Sequence, residues 1–122
     1  MSSAAIVVGY STKPEGRAAL RRSIAEAKLR SARLVVVLTS PDSEATELDA
    51  ELTSAGVTYE VATPIEELDP AEELITAADR TGAEIIVIGL RRRSPVGKLL
   101  LGSNAQRVLL DARCPVLAVK PD

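Results

Sequence analysis

The chain has 122 residues, of which 46% are hydrophobic, and its formal net charge is −2. This length suits one domain, and the charge excludes a strong general attraction to nucleic acid. The chain has no histidine and a single cysteine, Cys114. These counts exclude Ser-His-Asp and Cys-His catalysis, histidine-ligated metals and an internal disulfide. No apolar run is long enough to span a membrane, so we expect no membrane partner. The single cysteine fits a reducing cytoplasm, where we expect the protein, and the charge predicts no nucleic-acid partner.

The first half of the chain alternates strands with helices. Unbroken apolar runs rich in valine predict buried strands, and apolar residues three or four apart predict helices. Pro14 suits the first turn of a helix, and Gly56 is typical of the position just after one. The predicted order is a strand at 4–9, a helix from Pro14 with Leu20, Ile24 and Ala27 on one face, a strand at 34–38, a turn at 39–43 and a helix at 44–55.

The third strand differs from the first two. Residues 57–61 alternate apolar and polar side chains, which predicts a half-exposed strand at an edge of the sheet. A linker at 64–69 precedes a helix that stops at Gly82 and has one apolar face, made of Ala71, Leu74, Ile75 and Ala78.

The stretch after this helix carries the main functional signal. Residues 85–88 are a buried apolar run, Gly89 lets a ligand approach the strand end closely, and a long basic loop follows at 90–101. A helix then begins at 102–104, capped by Ser103 or Asn104. Its predicted inner face consists of Leu101, Ala105, Val108, Leu109 and Ala112. A basic loop that leads into a helix N-terminus predicts a phosphate site, because free N–H groups and the helix dipole favour anions.

The last apolar run, at 116–119, completes a β-α-β-α-β-α-β-α-β order. That order predicts an α/β fold: a doubly wound, five-stranded parallel sheet in the order 3-2-1-4-5, with helices on both faces and a single domain over 1–122. Unlike 57–61, the last strand has no polar face. Since an apolar edge strand needs cover, we expect a homodimer that pairs Val116, Leu117, Ala118 and Val119 across a two-fold axis.

Two segments resemble the universal stress protein family. They are "IVVGYSTKPEGRAALRRSIAEA" and, most strongly, residues 83–121, which include "GAEIIVIG" and "RRRSPVGKLLLGSNAQRVLLDARCPVLAVKP". The resemblance implies a five-stranded parallel sheet, a cytoplasmic homodimer, and membership of either the ATP-binding or the non-binding group of the family.

The ATP-binding group of the family has a motif of three glycines. Two residues separate the first glycine from the second, nine separate the second from the third, and Ser, Thr or Asn follows the third. In this chain the first glycine is Gly89 and the last pair is Gly102-Ser103, whereas Arg92 occupies the second glycine position. The family also has an Asp after the first strand that hydrogen-bonds the nucleoside, and Ser11 stands in its place. The adenosine end of the site therefore departs from the family more than the phosphate end does.

The resemblance and the residues together predict a site for ATP or another adenine nucleotide, with or without Mg²⁺. One arginine of 91–93 is expected at the phosphates, and Lys13 is expected on the surface. No catalytic or metal-ligating residue is predicted. The site residues are Gly9, Tyr10, Ser11 and Thr39 near the base, and Ile88, Gly89, Arg92, Gly102, Ser103 and Asn104 near the phosphates.

Other functions remain open at this point. Gly97-Lys98 does not form a P-loop, because seven residues separate Gly97 from Gly89 where four are required, and Leu99 replaces the Ser or Thr that binds magnesium. The leading hypothesis is a regulatory nucleotide-binding module without dedicated catalysis. The alternative is a dimeric stress-response interaction protein that has lost nucleotide binding. An adenine-nucleotide α-hydrolase is disfavoured, because "YSTKPEG" does not match the Ser-Gly-Gly-x-Asp-Ser loop of those enzymes.

Overall fold

A computed structural model describes residues 4–39, 45–62, 68–93, 98–100 and 102–121, with side chains for all of them except 45, 46, 92, 93 and 98–100. The strands are β1 (Ala5–Tyr10), β2 (Arg33–Leu38), β3 (Tyr59–Ala62), β4 (Ile85–Gly89), β5 (Arg91–Arg93), β6 (Lys98–Leu100) and β7 (Val116–Val119). The helices are α1 (Pro14–Arg30), α2 (Ala45–Ala55), α3 (Pro70–Thr81) and α4 (Ser103–Asp111).

Five of the strands form one parallel sheet in the order β3-β2-β1-β4-β7. Counted along the sheet strands alone, this is the predicted order 3-2-1-4-5. β1 lies in the centre, where Val7 is in register with Val35 on one side and Ile86 on the other. The alternating strand β3 lies at one edge, as its pattern predicts, and β7 lies at the other.

Helices cover both faces of the sheet, because the central strands are apolar on both sides. On one face Ile6 and Val8 pack with Leu20 of α1 and with Leu48 and Leu52 of α2. The opposite face packs against α3 and α4, through a cluster that includes Val7, Val35, Ile86, Leu74, Ala78 and Val108. No helix in the described ranges is long and apolar enough to cross a membrane.

Most predicted helix ends are confirmed. Pro14 occupies the start of α1. Gly82 caps α3 at a φ of 63°, in the left-handed region that glycine adopts without strain, and Gly56 follows α2 at a φ of 76°. The predicted turn at 40–43 and the linker at 64–67 lie outside the described residues.

The segment at 90–101 and the start of α4 differ from the prediction. β5 and β6 form a two-stranded antiparallel hairpin with Arg91 opposite Leu100, where a loop was expected. Short runs on both sides of Ser-Pro-Val-Gly, a segment of turn-forming residues, are the sequence signal for this hairpin. The predicted caps Ser103 and Asn104 are wrong, because the N-cap is Gly102, which provides no side-chain hydrogen bond. Leu109 was expected inside but is 41% exposed, and Leu101 lies outside the described residues.

Candidate functional site

A cleft of about 160 Å³ lies at the carboxyl ends of β1, β2 and β4. The chain runs from β1 towards one edge of the sheet and from β4 towards the other. The cleft therefore lies at the point where strand order reverses, which is where doubly wound sheets bind ligands. The N-terminal ends of three helices also meet here. Its lining residues are Gly9, Ser11, Lys13, Glu15, Gly16, Thr39, Pro70, Leu74, Ile88, Gly89, Arg91, Gly102, Asn104, Ala105 and Val108.

The loop between β1 and α1 forms a close-packed wall. Ser11 is buried, with 7% of its surface exposed, and its Oγ accepts a hydrogen bond from the backbone N–H of Lys13 at 3.3 Å. A Cβ on Gly16 would overlap the backbone of Ser11. This glycine is therefore what allows the first turn of α1 to fold back onto the strand end.

Thr39 forms the neighbouring wall and is held by the backbone of Tyr10. Its N–H and its hydroxyl both donate to the Tyr10 carbonyl oxygen, at 2.9 and 3.0 Å. With these groups satisfied, the Thr39 methyl carbon lies 3.3 Å from where a Cβ on Gly9 would be. The Tyr10 side chain packs in the core on the opposite face of the sheet. Tyr10 thus supports the site through its carbonyl and does not line the cleft.

The end of the cleft at α4 is suited to an anion. Gly102 is the N-cap and has no side chain to bond the free N–H groups of the first turn. The guanidinium of Arg91 lies beside it: a Cβ built on Gly102 would be 3.5 Å from Arg91 Nη2. Among the described residues, Arg91 makes no ion pair or side-chain hydrogen bond. We call Arg91 and the first turn of α4 the anion pole; its cation and helix dipole both favour negative charge.

Two walls of the cleft are fastened together outside it. Asp69 is the N-cap of α3, and its Oδ1 accepts from the Glu72 N–H at 2.9 Å. Its Oδ2 accepts from Arg107 of α4, which also reaches Glu72 Oε1 at 3.5 Å. The Asp69 carboxylate raises the pKa of Arg107 above its usual value. This clamp, made of Asp69, Glu72 and Arg107, holds the starts of α3 and α4 side by side.

The cleft brings together seven of the ten predicted site residues: Gly9, Ser11, Thr39, Ile88, Gly89, Gly102 and Asn104. Ser103 is exposed outside the cleft, and the Arg92 side chain lies outside the described part of the structure. Arg91, the preceding arginine, lines the cleft. Lys13 was expected on the surface; it is exposed and also lines the cleft.

Sequence reasoning missed the clamp and the role of Glu15 in the cleft wall. The signal for the clamp was present in the start of α3. Asp69 is at the N-cap, Pro70 at the first helical position and Glu72 at the third, and each residue type favours its position. For Glu15 there was no such signal. An acidic residue in a first helical turn is common for dipole reasons alone, and its place in the cleft depends on tertiary packing.

A model of the universal stress protein family matches residues 4–120. The chain belongs to this family. The universal stress protein of Mycolicibacterium smegmatis is 49% identical over 127 aligned positions, covering 95% of this chain and 97% of that protein.

Solved structures of the family have the same fold. A universal stress protein from Archaeoglobus fulgidus matches with a TM-score of 0.73 and 30% identity, covering 98% of this chain and 100% of that one. A structure of the universal stress protein from the same organism in complex with dAMP matches with a TM-score of 0.74 and 26% identity, over the same shares of the two chains.

Proposed function

We propose that the domain over 1–122 is a regulatory module that binds an adenine nucleotide in this cleft. The observation that carries the proposal is the anion pole: Arg91 lies without a described partner beside an uncapped helix start, within contact distance of Gly102. Guanidinium groups match phosphate oxygens in geometry and charge. The dAMP complex of a relative with the same fold supports the same ligand class.

The rest of the cleft suits a nucleoside. Gly9, Thr39 and Leu74 provide a mainly apolar surface at the β1 and β2 side, where we place the base. The phosphates would then lie against Gly102, Asn104 and Arg91. This assignment keeps most of the sequence-predicted site. It adds Arg91 and uses only the backbone of Tyr10; Arg92 stays a prediction.

The proposal assigns the cleft to binding, without dedicated catalysis. The chain has no histidine to act as a general base near neutral pH. Among the described residues, no group of three acidic, cysteine or histidine side chains could hold a metal. Any Mg²⁺ would therefore be held mainly by the phosphates. With a single cysteine the fold needs no disulfide, which suits the reducing cytoplasm where we place the protein.

Mass spectrometry of small molecules released from the denatured protein, followed by calorimetry with AMP, ADP and ATP, tests this function. We expect adenine nucleotide to bind and Arg91→Ala to weaken it about tenfold or more, since charge-assisted bonds are the strong ones. Arg113→Ala is the matched control, because Arg113 is exposed and lies outside the cleft. No binding at millimolar concentration would favour the alternative, an interaction protein that has lost its nucleotide.

We further propose that the module is a homodimer formed through β7. Ile86 and Leu90 of the β4 segment donate to the carbonyls of Pro115 and Val119 at 3.0 and 2.8 Å. Because backbone groups alternate sides along a strand, those of Val116 and Ala118 point away from β4. No described strand lies on that side, and all four β7 residues are only half-buried. A second copy would satisfy these groups and cover apolar surface.

Ala118→Pro tests the dimer more sharply than Leu117→Pro, because it removes an outward N–H and leaves the ladder to β4 intact. We expect light scattering across a dilution series to show a weaker dimer for this variant. Val61→Pro is the control: on β3, at the opposite edge, the same alternation points its N–H outward. A wild-type protein that stays monomeric at high micromolar concentration would overturn the proposal.

A further inference from the structure

Glu15 occupies a fixed place in the wall of the cleft. It lies in the first turn of α1 and is half-buried. Its backbone packs directly on β4, because a Cβ on Gly89 would overlap the Glu15 carbonyl and would lie 3.0 Å from the Glu15 Cβ. The side chain therefore starts over Gly89, at the carboxyl end of β4. Gly89 is two residues before Arg91 in the chain. This places Glu15 next to the anion pole.

Glu15 also differs from the four glutamates of the domain whose carboxylates are held in described ion pairs. Glu26 pairs with Arg22 and Arg30, Glu60 with Arg33 and Arg80, Glu72 with Arg107, and Glu84 with Arg30. In the described part of the structure, Glu15 makes no ion pair and no side-chain hydrogen bond. Glu15 thus lines the cleft, and no described residue holds its carboxylate in an ion pair or hydrogen bond.

We infer that Glu15 accepts hydrogen bonds from the ribose hydroxyls of the bound nucleotide, an inference that rests on the proposed function. A carboxylate only accepts, so it recognises donors and repels phosphate. A nucleotide has two kinds of donor: the ribose hydroxyls and the amino group of the base. The hydroxyls are on the sugar that carries the phosphate, whereas the amino group is at the far end of the base. Beside the anion pole, the sugar is the part that Glu15 meets.

The arrangement gives the site a direction and a preference. Arg91 attracts the phosphate, whereas the Glu15 carboxylate repels the phosphate from its own part of the cleft. The two carboxylate oxygens of Glu15 bind the two neighbouring hydroxyls of the ribose. The site therefore discriminates ribonucleotides from nucleotides without sugar hydroxyls. Ser11 fits this purpose less well, because it is a single neutral hydroxyl, is only 7% exposed, and its Oγ already accepts one hydrogen bond from the Lys13 N–H.

Calorimetry with AMP and 2′,3′-dideoxy-AMP tests this inference. Hydrogen bonds to a charged group predict that the wild-type protein binds AMP about tenfold or more tightly than the dideoxy analogue. In Glu15→Ala this ratio should fall to about one, with AMP weakened and the dideoxy analogue unaffected or tighter. Glu47→Ala is the control, because Glu47 is also an acidic residue in a first helical turn but lies outside the cleft. It should keep the wild-type ratio.

The outcomes separate the inference from the function on which it rests. If wild-type protein binds both nucleotides equally, or if Glu15→Ala keeps the preference for AMP, the inference is wrong and nucleotide binding stands. If neither nucleotide binds the folded wild-type protein, both are wrong. Glu15→Gln provides a second variant of nearly the same shape: it should lose most of the preference, since the neutral amide has only one accepting oxygen.

Discussion

Two glycines line opposite sides of the same cleft, and they are present for different reasons. Gly89 ends β4 and lies under α1, so that a Cβ there would overlap the backbone carbonyl of Glu15. Gly102 begins α4, and the same added atom would meet only the Arg91 guanidinium, at an ordinary contact distance of 3.5 Å. The first glycine is required by the protein's own backbone. The second is not, so the space beside it is open to a ligand.

This difference separates the part of the site that builds the fold from the part that binds. The junction of β1, β4 and α1 is closed, with Gly16 against Ser11 in the same way as Gly89 against Glu15. The start of α4 has an uncapped first turn and an exposed cation. Substitutions at the junction should therefore change stability first, and substitutions at the α4 start should change binding first.

The largest expected effect is loss of stability in Gly89→Ala. The added carbon meets backbone rather than the end of a flexible side chain, so α1 or β4 must move. Overpacking of this kind predicts a loss of about 3 kcal/mol in the free energy of unfolding, measured by chemical denaturation. Gly102→Ala, the matched change, should lose clearly less, because it meets no backbone and only replaces glycine by a poorer N-cap residue. Equal losses in the two variants would remove the distinction between the two glycines.

Gly102→Asp should change binding and stability in opposite directions. Gly102 is an N-cap with extended backbone, at a φ of −67° and a ψ of 166°, and Asp is a preferred N-cap residue. The domain should therefore be as stable as wild type or slightly more so. The new carboxylate would occupy the anion pole, and adenine nucleotide affinity in calorimetry should fall by about 100-fold or more. A variant that binds AMP normally would show that the phosphate lies elsewhere.

The sheet order could be predicted because the signals are redundant. One alternating run places β3 at an edge, the chain order places β7 at the other, and short connections leave few other topologies for the remaining apolar runs. The hairpin of β5 and β6 was not predicted, because three-residue strands give too little pattern. The predicted cap of α4, Ser103 or Asn104, was one or two residues too late, since Gly102, Ser103 and Asn104 are all acceptable caps and only tertiary geometry selects among them.

The sequence predicted the parts of the candidate site that are formed by backbone. It did not predict which side chains enter the cleft. Gly9, Gly89 and Gly102 follow from strand ends and a helix start, which the sequence pattern places. Three consecutive arginines give no pattern that singles out Arg91; its place in the cleft wall comes from the hairpin, in which Arg91 is opposite Leu100. Glu15 enters the cleft because α1 packs on Gly89, a contact between residues 74 positions apart that no local pattern contains.

The smallest expected effect concerns the clamp that holds α4 in place. Asp69 both caps α3 and pairs with Arg107, and the two roles can be separated because Ser also caps helices but carries no charge. Asp69→Ala should cost about 1 kcal/mol of unfolding free energy, mostly from the lost cap. Asp69→Ser and Arg107→Ala should cost much less, because exposed ion pairs contribute little. Asp69→Ser and Arg107→Ala should still weaken AMP binding slightly, since each removes the ion pair that joins α4 to the start of α3. If Asp69→Ser is as unstable as Asp69→Ala, the ion pair rather than the cap holds this wall of the cleft.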